Sequence, residues 1–371
     1  MAVMTGLSGN EIYCLHLQGM KPGDVLIGNS VFSLGLLGGI SAGFSGLVGG
    51  EVAQLTQIIH EGRKMAFDRL CAEAAERGGM GVAGVTSELR HFQKNSEFLS
   101  VGSAIHRGDG KPEKLLFSSS ANCQELYCQI DAGFQPLHFV FGNVAYSVGV
   151  GGGIMGGLKS MARGEIREYS DVFNVTRHLA LQRIIADAQQ FGANAVVGIE
   201  TRTMQFNGVN EMMMIGTASR HPALAGGQPV VTSDMTNEEM WNMIHIGYMP
   251  MKLLLGTAVY SLGVVGGVKA MFKSMTRGEI SDLTTLIYDA REHAIGLVKT
   301  EADALGADDV IGVKTYIHEH GSLLEFMAIG TAVKRIPNLT TKSPTLPPQA
   351  IIKDKETWIT VGGMGIQTEG A

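Results

Sequence analysis

The chain is predicted to fold as three tandem α+β domains, each a mostly antiparallel sheet packed with helices. Three observations predict this. One unit recurs with a period of 114, because GNSVFSLG at Gly28–Gly35 returns as GNVAYSVG at Gly142–Gly149 and as GTAVYSLG at Gly256–Gly263. Within each unit, apolar runs of strand length flank one long stretch of helical periodicity. Finally, 371 residues at 45% hydrophobic and 17% charged give each unit enough chain to bury its own core. A period this long also excludes a solenoid of small repeats.

The second unit shows each element most plainly. Glu125–Ile130 reads as a short strand and Leu137–Tyr146 as a second, largely buried one. A glycine-rich apolar stretch, Val148–Met161, follows. From Ile166 to Gln190 the pattern turns helical, with Val172, Val175, Leu179, Leu181, Ile184 and Ile185 apolar among charged residues. Gly192 stands where a left-handed C-terminal cap belongs, as do Gly78 and Gly306 in the other units. Ala195–Met204 and Glu211–Ser219 then form a hairpin around Asn207-Gly208. Each unit therefore reads β-β-α-α-β-β.

The domains fall at 1–106, 115–220 and 232–335, with 336–371 a linker and tail. The connections Arg107–Ser120 and His221–Asp234 are rich in Gly, Pro and Ser. At ~3.3 Å per residue they could span on the order of 45 Å, so neighbouring domains need not touch. Lys355–Thr360 echoes the start of each repeat at Glu11, Glu125 and Glu239. It reads as a lone strand that adds to a sheet edge, within the chain or on a neighbouring subunit.

Composition removes several function classes. A net charge of −6 without a basic block argues against nucleic acid, whose backbone needs clustered Lys and Arg. The start, MAVMTGLSGN, has neither a positive nor an apolar region of a signal peptide. Cys14, Cys71, Cys123 and Cys128 have no disulfide or zinc spacing, so a cytoplasmic protein is expected. Val25–Gly50 is uncharged and long enough to cross a bilayer. Its counterparts, however, carry Lys159, Arg163, Lys269, Lys273 and Arg277, so no transmembrane span is expected. Apolar stretches such as Val264–Met275 suit peripheral contact with a membrane or another protein.

Few charged positions persist in all three units: Glu11, Glu125 and Glu239; Arg63, Arg177 and Arg291; Glu97, Glu211 and Glu325; Glu51, Glu165 and Glu279. They read as a structural Arg–Glu pair, from helix to sheet or between subunits, or as a ligand pocket around the arginine. No Ser, Cys or His stands beside them in every copy, so no catalytic residue is assigned. Glycine turns also persist: Gly35, Gly38 and Gly39; Gly149, Gly152 and Gly153; Gly263, Gly266 and Gly267. Without a Walker lysine they point to close backbone packing rather than to a phosphate cradle. For metal, no ligand set recurs, since Cys14 and Cys128 align with Asn242 and Cys71 with Ile185 and Lys299. His318 and His320 are the candidate ligands, on one face of a strand whose counterparts are Arg90 and Phe92, and Met204 and Phe206. No cofactor is assigned, and a divalent metal stays open.

The third copy reads Ala290-Arg291-Glu-His-Ala294, then Leu305-Gly-Ala-Asp-Asp-Val-Ile-Gly312, then Gly330-Thr-Ala. The second reads Phe191-Gly-Ala-Asn-Ala-Val-Val-Gly198 and Gly216-Thr-Ala, and the first has drifted to Gly102-Ser-Ala. These motifs resemble the YbjQ-like family (UPF0145, DUF74), which carries a heavy-metal-binding label. The resemblance implies small α+β domains that assemble as rings, typically pentamers, with the sheets forming a central barrel. The function expected is a non-enzymatic homo-oligomeric scaffold or binding protein. In its concrete form five chains stack three rings, one from each copy. A heavy-metal or small-anion sensor and a peripheral membrane assembly are the alternatives.

Overall fold

A computed structural model of the chain describes residues 2–33, 50–92, 95–111, 114–147, 164–206, 209–224, 229–261, 281–320 and 323–347. The glycine turns at 35–39, 149–153 and 263–267, Glu279, the stretch 264–275, the Asn207-Gly208 turn and the strand expected at 355–360 lie outside these residues.

Each repeat opens on a nine-residue helix where a strand was expected. These helices are α1 (Gly9–Leu17), α3 (Cys123–Asp131) and α5 (Asn237–His245). The reason is a capping box at each N-terminus. Ser8, Asn122 and Thr236 accept from the backbone N–H three residues on, and Glu11, Glu125 and Glu239 return a carboxylate to the cap N–H. The persistent glutamates thus satisfy donors that a helix start leaves open.

The rest of each repeat is a long first strand, one long helix and a hairpin. In the first repeat these are β1 (Met20–Ser33), α2 (Ala53–Glu76), β3 (Gly81–Phe92) and β4 (Asn95–Arg107), with β2 (Gly50–Glu51) before the helix. The second has β6 (Gln135–Ser147), β7 (Gly164–Glu165), α4 (Arg167–Gln190), β8 (Ala195–Phe206) and β9 (Val209–Arg220). The third has β11 (Tyr248–Ser261), α6 (Ser281–Leu305), β12 (Asp309–His320) and β13 (Leu323–Arg335). The long helix of the second repeat matches the helical stretch expected at Ile166–Gln190, and the other helix expected in each repeat falls in the glycine-rich stretch outside the described residues. Leaving aside the two-residue strands, the described order is α-β-α-β-β. The cap glycines Gly78, Gly192 and Gly306 take φ of 67°, 67° and 65°.

The hairpin's second strand lies centrally and pairs antiparallel with both others. The long helix then crosses the first strand so closely that a side chain is excluded. A Cβ on Gly142 would lie 2.3 Å from the Ala180 carbonyl oxygen, and one on Gly256 2.3 Å from that of Ala294.

The connections do not hold the domains apart. β5 (Phe117–Ser118) and β10 (Val231–Thr232) lie within them and pair in parallel with β3 and β8 of the preceding repeat. Past β13 the chain folds back rather than trailing away. Ser343 donates through its N–H and Oγ to Asp131 on α3, and Thr341 bonds His245 on α5.

Successive repeats pack sheet, helix, sheet, helix. Helix α2 shares a core with Leu26, Val82 and Ala104 of its own sheet and with Phe139, Phe141, Met213 and Ile215 of the next. Helix α4 lies likewise between Val140, Val196 and Met214 of its own sheet and Leu253, Leu255 and Met327 of the third. Each of these helices is therefore buried on two faces, which explains why its sequence is apolar around more than one stripe.

Candidate functional site: the junction between repeats

The persistent arginines and glutamates meet at these junctions, and they meet across repeats. Arg63 on α2 donates from Nε to Glu211 Oε1 at 3.2 Å and from Nη2 to Oε2 at 2.7 Å, while Nη1 donates to Ser87 Oγ at 3.0 Å. Arg177 on α4 repeats the arrangement one junction later. Its Nε reaches Glu325 Oε1 at 3.1 Å, and Nη2 lies 2.6 Å from Oε1 and 2.8 Å from Oε2. In both pairs the side chains are fully buried.

Such a pair survives burial only with good geometry and further hydrogen bonds. The forked guanidinium supplies the geometry. At the second junction Arg177 Nη2 also donates to the Tyr146 hydroxyl at 2.7 Å. Its guanidinium carbon lies 4.5 Å from the Tyr146 ring centroid and 5.2 Å from that of Phe173. Burial alone would raise the Glu325 carboxyl, but Arg177 and the His320 hydrogen bond outweigh it and hold the group below the usual carboxylate range. Burial raises the Tyr146 phenol to about 12 against the opposing pull of Arg177.

Around each pair lie equivalent smaller contacts. The two-residue strands β2 and β7 leave their own repeats and pair antiparallel with β6 and β11 of the next. They carry Glu51 and Glu165. Glu51 lies 2.7 Å from Arg183 of the second repeat, and Glu165 lies 3.4 Å from His293 of the third. Asn174 bonds both backbone groups of Thr257, and at the first junction His60 meets Asn143 at the same positions. A groove of roughly 590 Å³ opens beside the first junction and one of roughly 530 Å³ beside the second, with Arg220 and Lys334 as equivalent cations. Both cations already donate to the carbonyl after a helix end, at Gly192 and Gly306.

Among the described residues, Arg291 and Glu97 do not form such a pair. Arg291 is exposed on α6. Glu97 is half-buried on β4, where Asn29 donates to it at 3.1 Å.

His318 and His320 sit on β12 beside the second pair. His320 Nε2 lies 2.9 Å from Glu325 Oε2 and is 5% exposed, whereas His318 Nε2 is buried without a hydrogen-bond partner. The sequence offers them as the candidate metal ligands, on one face of a strand. His320 meets the Glu325 carboxylate and His318 stands opposite Glu325 in the strand register, but Arg177 already occupies that carboxylate and its charge opposes a cation. This donor set does not fit a heavy metal. Among the described residues, no group of three His, Cys, Asp or Glu could hold a metal ion. No described helix is long and apolar enough to cross a membrane.

Comparison with known proteins agrees with this architecture. The family model YbjQ_1, described as "Putative heavy-metal-binding", matches residues 18–107, 133–221 and 245–335. The chain belongs to this family, in three copies. The family's matched segments each begin at the end of the opening helix or just beyond it, so α1, α3 and most of α5 stand before them. Among its relatives, the UPF0145 protein of Colwellia psychrerythraea is 45% identical over 80 residues, covering 21% of this chain and 76% of that one. The UPF0145 protein of Methanoregula boonei is 41% identical over 85 residues, covering 23% and 71%. The encapsulin nanocompartment protein Rv1762c of Mycobacterium tuberculosis is 30% identical over 227 residues, covering 58% of this chain and 84% of the relative. That span exceeds any single repeat, so the likeness extends across at least one connection.

Proposed function

We propose that this protein is a non-enzymatic structural unit of a homo-oligomeric scaffold. The observation that carries the reading is the junction itself. Its most elaborate chemistry, a doubly hydrogen-bonded Arg–Glu pair sealed in an apolar sandwich, is spent on holding one repeat to the next, and it occurs twice. Buried ion pairs are weak sources of stability but specify one register of packing. The encapsulin relative, aligned across more than one repeat, supports the same assignment. The junctions favour a layout in which the three copies are consecutive places in one layer, rather than one place in each of three stacked five-membered rings. The family's metal description finds no support in the donor set around Glu325.

Native mass spectrometry of the purified full chain, with metal quantified on the same sample, tests this reading. The expected result is a discrete multiple of 39.5 kDa without stoichiometric metal. A monomer at micromolar concentration would overturn the scaffold, and a fixed metal ratio per chain would make the protein a metal binder instead.

A further inference from the structure

The two ends of the chain carry the two halves of the junction it has already used twice. Consider first the outer face of the first sheet. Ile27 is 58% exposed and Val31 54%, while their counterparts Phe141 and Leu255 are 5% and 3% exposed, and Ala145 and Val259 are fully buried. Glu97 is half-buried, whereas Glu211 and Glu325 are fully buried. The difference has one cause. Helix α2 covers sheet two and helix α4 covers sheet three, whereas among the described residues no long helix lies on this face of sheet one.

The other end is the mirror of this. Arg291 is exposed where Arg63 and Arg177 are buried, and Tyr288 is 63% exposed at the position from which His60 and Asn174 reach the next repeat. On β12, Val313 is 44% exposed, while its counterparts Val85 and Ile199 are 1% and 3%. Val85 and Ile199 are covered by the connection that leads into the next repeat, since each donates its N–H to a serine there, Ser119 or Ser233.

The connections between repeats show the same asymmetry. Phe117–Ser118 and Val231–Thr232 pair in parallel with the preceding sheet at Gly81–Val82 and Ala195–Val196. One period earlier stand Val3 and Met4, which are 50% and 74% exposed.

We propose that copies of this chain join head to tail through the same junction, with Arg291 and α6 of one copy seated on the outer face of the first sheet of the next, so that Arg291 pairs with that copy's Glu97. This deepens the scaffold reading and rests on it. Ile27 and Val31 fill the place that Phe141 and Ala145 fill in the first internal junction. Val3–Met4 adds in parallel to the edge at Asp309–Val310 of the preceding copy. Neither half of the Arg–Glu site is complete without the second copy. The contact is heterologous, so it closes as a ring or runs on as a filament. A closed ring built this way contains a number of repeats divisible by three, which excludes a five-membered one.

The test is a charge exchange in the full chain, read by native mass. Arg291→Glu sets two carboxylates face to face at every intermolecular junction, and Glu97→Arg sets two guanidinium groups there. Each variant alone is expected to fall to 39.5 kDa. Mixed in equal amounts they restore the assembled mass, because the new Glu meets the new Arg and the two native residues meet each other. Ile27→Lys, a change at a site solvated in the single chain, is expected to disassemble the wild type without rescue by either variant. A wild-type monomer would overturn the scaffold reading and this one together. A wild-type oligomer unaffected by the three substitutions, or single variants that stay apart when mixed, would overturn the head-to-tail contact and leave the scaffold standing.

Discussion

At the scale of residues, each junction holds two charges that are isolated from water and paired with each other, although Arg177 Nη1 has no hydrogen-bond partner among the described residues. Removing one partner leaves the other buried alone. Glu325→Leu is therefore expected to lower the unfolding free energy by about 3–5 kcal/mol, whereas Glu325→Leu with Arg177→Met recovers most of that loss. Urea titration of the two variants beside the wild type checks this, and a double variant as unstable as the single one would contradict it. The internal alignment of the sequence brought both residues to notice, since they are charged and repeated three times. It did not show which Arg meets which Glu. Within one repeat Arg63 and Glu97 stand close along the chain, but the pair that forms joins Arg63 to Glu211. A helix with two buried faces was the available signal, because a single sheet covers only one of them. The environment of His318 and His320 was hidden for the same reason, as a strand pattern does not reveal what covers its outer face.

At the scale of elements, the opening helices show how local chemistry overrides a short apolar pattern. Six residues such as Glu125-Leu-Tyr-Cys-Gln-Ile fit a strand or a helix equally well. The deciding information lay three residues upstream, in Ser8, Asn122 and Thr236. Their capping boxes also make a pH prediction. Burial, with Glu238, Glu200 and Glu11 nearby, raises the Glu125 carboxyl to about 7 against the lowering effect of the Asn122 N–H. A raised carboxylate is bound to its proton more tightly in the folded than in the unfolded chain. Its contribution is thus fully present below the unfolded value of 4.5 and is lost as the pH climbs through about 7. Glutamine also completes a capping box. Glu125→Gln is therefore expected to gain stability relative to the wild type between about pH 5 and pH 8, in denaturation curves at both values. An unchanged difference would show that the carboxyl titrates normally. The long helix, its glycine cap and the hairpin were legible because period and cap agree, whereas the glycine-rich turns lie outside the described residues.

At the scale of the whole molecule, the connections decide the layout. Their Gly, Pro and Ser content matched long flexible linkers, but two residues in each, Phe117–Ser118 and Val231–Thr232, extend the preceding sheet. That pairing fixes where the next repeat must start, and the sandwich of sheet and helix follows. The direct test of the central claim is an electron cryo-microscopy reconstruction of the assembled full chain. The account predicts that domain three of one copy faces domain one of the next with the same helix-on-sheet geometry that joins domains one to two and two to three. A reconstruction in which domain one faces another domain one, or in which the first sheet's outer face meets only solvent, would contradict it.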